Sequence, residues 1–409
     1  MEEWNPGSLE KSIKEEIMKK TTFFFTGLAS FGFVFSLLAM CLCSVSAQQK
    51  ASIRLGVNLD STGYAAWLGE PQLRAIQLFA EQINTKGGID GHPLELMIYD
   101  NESVPEKASN IAKKLIQRDK VTAMIATSIT ATSNAARPIA QDEKIVMYSL
   151  SASFEPNYPD SFAFAIYVPT NGQVEAIFDY FVARGIRRIA ILCATDSTGQ
   201  TWFEETTKAA KRYGFEIASE RFNIKDMDVT PQLAKLKAIN PQAFIAGASG
   251  HPNAVVVKNF NQMGFKIPYV TGAGNISVAF LKLLEGIEPD TLLLSGAYCV
   301  VWRELPDSFP QKKLMQEFNE AFQKKYMKEI DIYSVGAYDA IRILAEAIRQ
   351  VKPEGPQDSV KLRDAIENIK DFPAVYGKTY SFSKENHRGV GKDSAAMVQV
   401  KGGKFVMAK

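Results

Sequence analysis

Cysteine and histidine are scarce in this chain. Its 409 residues include four cysteines and three histidines, and the histidines stand far apart, at positions 92, 251 and 387. A metal site needs several such ligands at short characteristic spacings, and none of these spacings occurs. We therefore expect no metal site and no other cofactor.

Neither sign of charge dominates the sequence. It has 47 Lys and Arg residues against 45 Asp and Glu residues. Binding to nucleic acids or to an anionic membrane surface depends on an excess of clustered positive charge. The balance supports neither, so we expect no nucleic-acid partner.

The one long apolar run lies near the N-terminus. Lys19 and Lys20 precede it, Phe23–Met40 is almost wholly apolar, and Val45–Ala47 is a small-residue cleavage sequence. This order of features predicts a signal peptide over residues 1–47 and export to the periplasm. No later stretch is long and apolar enough to cross a membrane, so we expect the exported chain to be soluble.

The N-terminal segment leaves alternatives open. The stretch before Met18 is polar and acidic, whereas Met18 begins MKKTTFFF, which favours Met18 as the true start. The apolar run is about long enough to be an uncleaved anchor, since a span takes roughly 20 residues. A lipid anchor at Cys41 is less favoured, because the bulky Met40 precedes it.

Two cysteines, Cys193 and Cys299, lie beyond the signal. They could form a disulfide in an oxidising compartment. The alternative is a pair of buried free thiols, which we favour because nothing in the sequence brings the two within bonding reach.

Strands alternate with helices along the chain. The first unit is strand Ile53–Leu59, a polar turn at 60–63, a helix with apolar residues at spacings of three and four up to Gly87–Gly88, and strand Leu94–Tyr99. Further strands are predicted at Val121–Ala126, Ile145–Leu150, Ile189–Cys193, Ala243–Ala246, Tyr269–Val270 and Leu292–Leu294. Further helices are predicted at Glu106–Asp119, Gly172–Arg184, Thr201–Tyr213, Val229–Ile239, Pro252–Met263, Gln311–Lys325 and Val335–Val351. This alternation predicts an α/β protein with parallel sheets, and the extended Phe162–Gly172 is the candidate first crossing between two domains.

Hydroxyl residues follow two neighbouring predicted strands. Thr127–Ser133 lies between a strand and a helix, and Ser151–Ser153 follows the next strand at the same sheet edge. Hydroxyls beside the unpaired N–H groups of a helix N-terminus favour a carboxylate. The alternative is that Thr132 or Ser133 only caps the helix, and both can hold at once.

Four segments together carry a resemblance to a known family. They are INTKGGIDGHPLELMIYDNES, ATSITATSNAARPIAQDEKIVMYSLSASF, RRIAILCATDSTGQ and YSVGAYDAIRILAEAI. Over residues 52–405 the chain resembles the type I periplasmic binding proteins of the branched-chain amino acid and amide group, which are leucine-isoleucine-valine-binding protein-like receptors of ABC importers. The resemblance implies a monomer with two hinge-linked α/β lobes, each a parallel sheet flanked by helices. Lobe 1 would comprise residues 48–169 plus 297–380, and lobe 2 would comprise residues 170–296 plus 381–409. It also implies a small-molecule ligand in the cleft, an inner-membrane ABC permease as partner, and no catalysis.

The resemblance also assigns roles in the first lobe. It implies that Thr130, Ser151 and Ser153, with Ala131 and Ala152 beside them, hold a ligand carboxylate through hydroxyl and backbone groups. It implies that an aromatic ring at Trp67 packs over the ligand, although Trp67 could equally be a core or surface tryptophan.

The second lobe departs from the amino-acid-binding relatives at three positions. Thr198 stands where they often have a tyrosine, Gly250 where they can have an aromatic residue, and Ala273 where they can place a glutamate that pairs with the ligand ammonium. A buried ammonium without a partner is costly. Unless Asp196 or another acid replaces that glutamate, these small residues favour an aromatic or branched carboxylic acid or an amide.

Other functions are weaker interpretations. Gly272-Ala273-Gly274 is close to a dinucleotide fingerprint, but Ser277 replaces its third glycine and export argues against a diffusible cofactor. No Gly-x-Ser-x-Gly elbow of a hydrolase occurs. His251 stands near the expected cleft, where shaping the loop is its simpler role. A receptor that signals instead of feeding a permease is left open.

Overall fold

The computed structural model describes residues 14, 18, 50–287, 289, 291–352 and 358–408. The predicted signal peptide lies outside these residues, apart from Lys14 and Met18. Within the described part of the chain, no helix is both long and apolar enough to cross a bilayer.

The first sheet has five parallel strands in the order β2-β1-β3-β4-β5. Its elements are β1 (Ile53–Leu59), α1 (Ala66–Thr85), β2 (Leu94–Asp100), α2 (Pro105–Gln117), β3 (Ala123–Ala126), α3 (Thr130–Asp142), β4 (Met147–Ser149) and β5 (Ala163–Ala165). The central strand β3 is apolar throughout because both faces are covered. Along β3, Ile125 belongs to one buried cluster, whereas Met124 belongs to another with residues of α2 and α3.

The chain then builds most of a second sheet. Its elements are α4 (Thr170–Ala183), β6 (Arg188–Ala194), α5 (Ser197–Tyr213), β7 (Glu216–Phe222), α6 (Thr230–Lys237), β8 (Ala243–Gly247), α7 (His251–Gln262), β9 (Tyr269–Gly272), α8 (Val278–Leu283) and β10 (Leu292–Ala297). The strands β7, β6, β8, β9 and β10 are parallel neighbours in that order.

The last part of the chain contributes a helix that packs beside the first sheet and two strands that extend the second sheet. It comprises α9 (Lys312–Tyr326), α10 (Ile332–Val351), α11 (Ser359–Glu367), the short β11 (Phe372–Pro373) and β12 (Thr379–Tyr380), and the hairpin β13 (Ala395–Lys401) and β14 (Lys404–Met407). Helix α10 packs on α1 beside the first sheet. Strand β13 joins the second sheet antiparallel to β10, which gives the order β14-β13-β10-β9-β8-β6-β7.

The prediction of an α/β fold with parallel sheets is confirmed. The division into lobes at stated residues stays a prediction. Six strands were missed: β5 lies inside the segment expected to be only extended, and β7, β11, β12, β13 and β14 were not predicted. Strand β7 is an edge strand with one neighbour, and Glu216 and Glu220 on it are not buried. It therefore lacks the continuous apolar run that marks the central strands.

The two cysteines beyond the signal are free and buried, so the interpretation as thiols is confirmed. Burial raises the pKa of Cys193 to about 12 and the pKa of Cys299 well above its ordinary value. Thiolate, not thiol, is the reactive form.

We therefore expect a thiol reagent at pH 8 to leave folded residues 48–409 unmodified and to titrate two thiols after unfolding. Modification of the folded protein within minutes would contradict this burial.

Candidate functional site in the cleft between the two sheets

A cavity of about 610 Å³ lies where the carboxyl ends of the strands of the two sheets face each other. Loops that follow β3 and β4 line one side, and loops that follow β6, β8 and β9 line the other. Ligands of open α/β sheets gather at such strand ends. The nine residues predicted to contact a ligand all line this cavity: Trp67, Thr130, Ala131, Ser151, Ala152, Ser153, Thr198, Gly250 and Ala273.

The loop after β3 has an unusual backbone that aims its polar groups. Thr127 has a positive φ of 71°, which is rare for a β-branched residue. It is held there because its N–H donates to the Asn58 carbonyl at 2.6 Å and its carbonyl accepts from the Leu150 N–H at 3.0 Å. Strain of this kind persists where the surroundings enforce it, often at binding sites.

A buried carboxylate fixes the next residues. Asp60, at the end of β1, accepts from the Ser128 N–H at 2.6 Å and from the Thr132 hydroxyl at 3.2 Å. Burial raises the pKa of Asp60, while the bonds from Ser128, Asn101 and Thr132 oppose that rise. Asp60 thus occupies the Ser128 N–H and the Thr132 hydroxyl.

The hydroxyl cradle, which we define as Ser128, Thr130, Ser151 and Ser153, forms one end of the cavity. The Thr130 and Ser151 hydroxyl oxygens are 2.8 Å apart. One of the two hydroxyl protons lies in the hydrogen bond between these oxygens, and the other can be donated to a ligand. The Ser128 hydroxyl is buried beside the Asp60 carboxylate, whose pKa it helps to lower. Ser153 lies 3.2 Å from the Thr170 hydroxyl at the start of α4.

Backbone N–H groups add to this cradle. Helix α3 begins at Thr130, and Ile129 at its N-cap supplies no side-chain bond. The first N–H groups of a helix have no intrahelical acceptor, and the helix dipole makes this end positive. Helix α3 therefore presents both N–H groups and hydroxyls to an anion, which is more than capping alone requires.

Aromatic rings line other parts of the cavity, on both sides of the cleft. The Trp67 ring meets Tyr333 edge to face at 5.4 Å between centroids, and Tyr333 lies 6.5 Å from Tyr167. Trp202 and Phe280 line the second-sheet side. Such walls suit a flat or branched apolar body, because aromatic faces offer a large rigid contact area.

The Trp202 side chain packs against the backbone at two glycines. A Cβ at Gly272 would lie 2.2 Å from the Trp202 indole, and one at Gly247 would lie 2.6 Å from the Trp202 Cβ. The indole thus covers the backbone where a dinucleotide fingerprint would approach a pyrophosphate. The glycines there make room for an aromatic side chain instead.

Gly272→Ala tests this packing. The backbone of Gly272 has φ −89°, which alanine adopts freely, so the clash with Trp202 is the main consequence. Overpacking of this kind costs about 1–3 kcal/mol. We expect urea unfolding to show that loss. Gly391→Ala is the control, since its added Cβ would meet only the Asp393 carboxylate, at 3.6 Å; equal stability of the two variants would contradict the packing.

The second-sheet side carries little charge. Of the described residues that line the cavity, Asp196 alone has a carboxylate and none is Lys or Arg. Asp196 is exposed and caps helix α5 by accepting from the Gly199 N–H at 2.8 Å. Ala273 is buried, and its N–H donates to the Gln173 side chain at 2.9 Å. Among the described residues that line the cavity, Asp196 is therefore the only acid that could replace a glutamate at position 273.

Gly250 and His251 lie at the start of α7. Gly250 has φ +66°, and a side chain there would meet the Trp67 ring at 3.4 Å, across the cleft. Glycine thus allows the two sides to approach. His251 lines the cavity and is exposed, and the described structure shows no hydrogen bond of its ring.

Sequence analysis missed several lining residues. Ser128 lies inside the predicted hydroxyl run, so its type and position were signal enough. Trp202, Tyr167 and Tyr333 gave no such signal, because their access to the cavity depends on how helices and crossings pack.

Comparison with known proteins agrees with this architecture. The profile of the family described as "Periplasmic binding protein" matches residues 52–404. The leucine-, isoleucine-, valine-, threonine- and alanine-binding protein of Pseudomonas aeruginosa is 24% identical over 338 residues, which are 80% of this chain and 86% of that protein.

Solved structures show the same fold. An extracellular ligand-binding receptor from Rhodopseudomonas palustris HaA2 has a TM-score of 0.80 at 24% identity, covering 88% of this chain and 100% of that one. The branched-chain amino acid transporter substrate-binding protein of Streptococcus pneumoniae, in complex with isoleucine, has a TM-score of 0.74 at 22% identity, covering 88% and 99%. The predicted resemblance is confirmed: the chain belongs to the periplasmic binding protein family, with its two-lobed α/β fold.

Proposed function

We propose that this protein is the periplasmic receptor of an ABC importer and that its ligand is a branched or aromatic carboxylic acid without an ammonium group. The observation that carries the proposal is the composition of the cavity lining, which combines the hydroxyl cradle with the aromatic rings of Trp67, Trp202 and Phe280. Membership of the family supports ligand binding and delivery to a permease.

The cradle supports a carboxylate. Hydrogen bonds to an ionised group contribute about 1.5–3 kcal/mol each, roughly twice a neutral bond. The spare proton of the Thr130 and Ser151 pair and the N-terminus of α3 both offer donors to the cavity lining. No Lys or Arg of the described residues lines the cavity, so dipoles rather than a full positive charge hold the anion.

The rest of the cavity supports an apolar body. Trp67 and Trp202 lie on opposite sides, and Leu68, Phe280 and Leu283 extend the apolar surface. Lobe closure around a ligand that touches both sides excludes water, and contacts made on both sides are what shifts the equilibrium to the closed state.

A second candidate is an amino-acid ligand whose ammonium pairs with Asp196. The Pseudomonas aeruginosa relative, by its name, binds amino acids. Asp196 could accept such a pair, yet it is exposed at the cavity and already caps α5. An exposed ion pair contributes at most about 1 kcal/mol, so we favour a ligand without ammonium.

A thermal-shift screen of residues 48–409 tests the proposal. The panel contains amino acids, aliphatic and aromatic carboxylates, and short amides. A ligand at one hundred times its dissociation constant stabilises by about 2.7 kcal/mol. We expect shifts with branched or aromatic acids; shifts confined to amino acids would favour the second candidate, and a shift with amides alone would refute the carboxylate.

A further inference from the structure

Tyr333 makes a hydrogen bond from one side of the cleft to the other. It lies in the first turn of α10, which packs on α1 beside the first sheet. Its hydroxyl donates at 2.6 Å to the Gly274 carbonyl, in the turn that follows β9 of the second sheet. Both partners line the cavity, but the bond involves no ligand atom.

The tyrosine is held firmly in this position. Its backbone carbonyl accepts from the Tyr167 hydroxyl at 3.2 Å, and Asp331 and Ser334 form a capping box around it. Gly336 allows this, because a Cβ there would come within 2.2 Å of the Tyr167 ring. These contacts fix the backbone at Tyr333, and the Trp67 ring packs edge to face against the phenol, so the side chain that spans the cleft has little freedom left to lose.

The hydroxyl remains a donor under ordinary conditions. Tyr333 is buried, and burial raises its pKa well above the ordinary value for tyrosine. Gly274 is only partly buried, so water would hydrogen-bond to its carbonyl when the cleft opens.

We propose that the structure shows the closed arrangement of the two lobes and that the Tyr333 hydroxyl is a latch that stabilises this arrangement before and independently of ligand contact. The inference does not depend on which ligand fills the cavity. A ligand that binds the closed state has an apparent affinity set partly by how often that state is already populated. The latch thus tunes affinity for every ligand by the same factor.

The test is Tyr333→Phe, which removes the hydroxyl and keeps the ring. Spin labels at Asn134→Cys on α3 and Lys208→Cys on α5, both exposed and on opposite sides of the cleft, report the lobe distance in ligand-free protein by pulsed electron resonance. The buried Cys193 and Cys299 stay unlabelled. We expect the ratio of closed to open protein to fall roughly two- to ten-fold, the usual worth of one net hydrogen bond.

Tyr338→Phe is the matched control. Tyr338 lies on the same helix, but its hydroxyl donates at 2.8 Å to Gln82 of α1, within one side of the cleft. We expect its distance distribution to match that of the parent protein. If Tyr333→Phe also matches the parent, or if both variants open alike, the latch is refuted. Because no ligand is present, this result stands apart from success or failure of the ligand screen.

Discussion

Ser151→Leu is expected to abolish binding of the acid found in the screen, with a dissociation constant at least 100-fold higher. The leucine side chain fills the cradle end of the cavity and removes the hydroxyl that pairs with Thr130. The milder Ser151→Ala removes the hydroxyl alone, and we expect about 10- to 150-fold weaker binding, the equivalent of one bond to a charged group. Isothermal titration calorimetry measures both.

Ser161→Ala is the control for this series. Ser161 is buried beside the first sheet and donates to the Ala163 carbonyl at 3.3 Å, and it does not line the cavity. Its affinity should equal that of the parent protein, and circular dichroism should show all three variants folded. If Ser151→Leu binds as tightly as Ser161→Ala, the cradle is not where the acid sits.

Trp67→Ala is expected to weaken binding by about 30- to 1000-fold, the range for a large aromatic residue at the centre of a binding site. The indole lies across the cleft from Gly250 and against Tyr333. Its loss removes contact area on one wall and also the ring that the second lobe closes onto. Calorimetry with the same acid measures the change.

Trp302→Ala is the control for Trp67→Ala, because it removes a tryptophan side chain that lies outside the cavity. Trp302 is half-buried beneath Arg303, at 4.6 Å, and is not part of the cavity wall. We expect it to lose stability but keep its affinity. Affinity of Trp67→Ala within three-fold of this control would show that Trp67 is an ordinary packed tryptophan, which is the alternative that the sequence left open.

The cradle could be predicted from sequence because it depends on local rules. Hydroxyl residues directly follow two adjacent parallel strands, and such strand ends share one edge of a sheet. Thr130 and Ser151 therefore had to lie close together, and they do. Thr198 and Ala273 on the second sheet were predicted from the family resemblance, and they also line the cavity.

The aromatic walls could not be predicted in this way. Trp67 and Tyr333 are far apart in the chain and meet only because α10 returns to pack on α1. Trp202 lies inside a helix, where a buried aromatic is ordinary core. The short spacing of Gly272 and Gly274 indicated a weak nucleotide motif, whereas Gly272 makes room for the indole of Trp202, which is distant in sequence.

The most direct test of the account is a calorimetric comparison of ligand pairs that differ only in the ammonium group. Residues 48–409 would be titrated with 4-methylpentanoate against leucine, and with 3-phenylpropanoate against phenylalanine. Among the described residues that line the cavity, the hydroxyl cradle offers donors to a carboxylate, and Asp196 is the only acid that could pair with an ammonium. We expect at least one acid to bind and to bind more tightly than its amino acid. Tighter binding of leucine or phenylalanine than of the matching acid would contradict the account and would mean that Asp196 holds the ammonium.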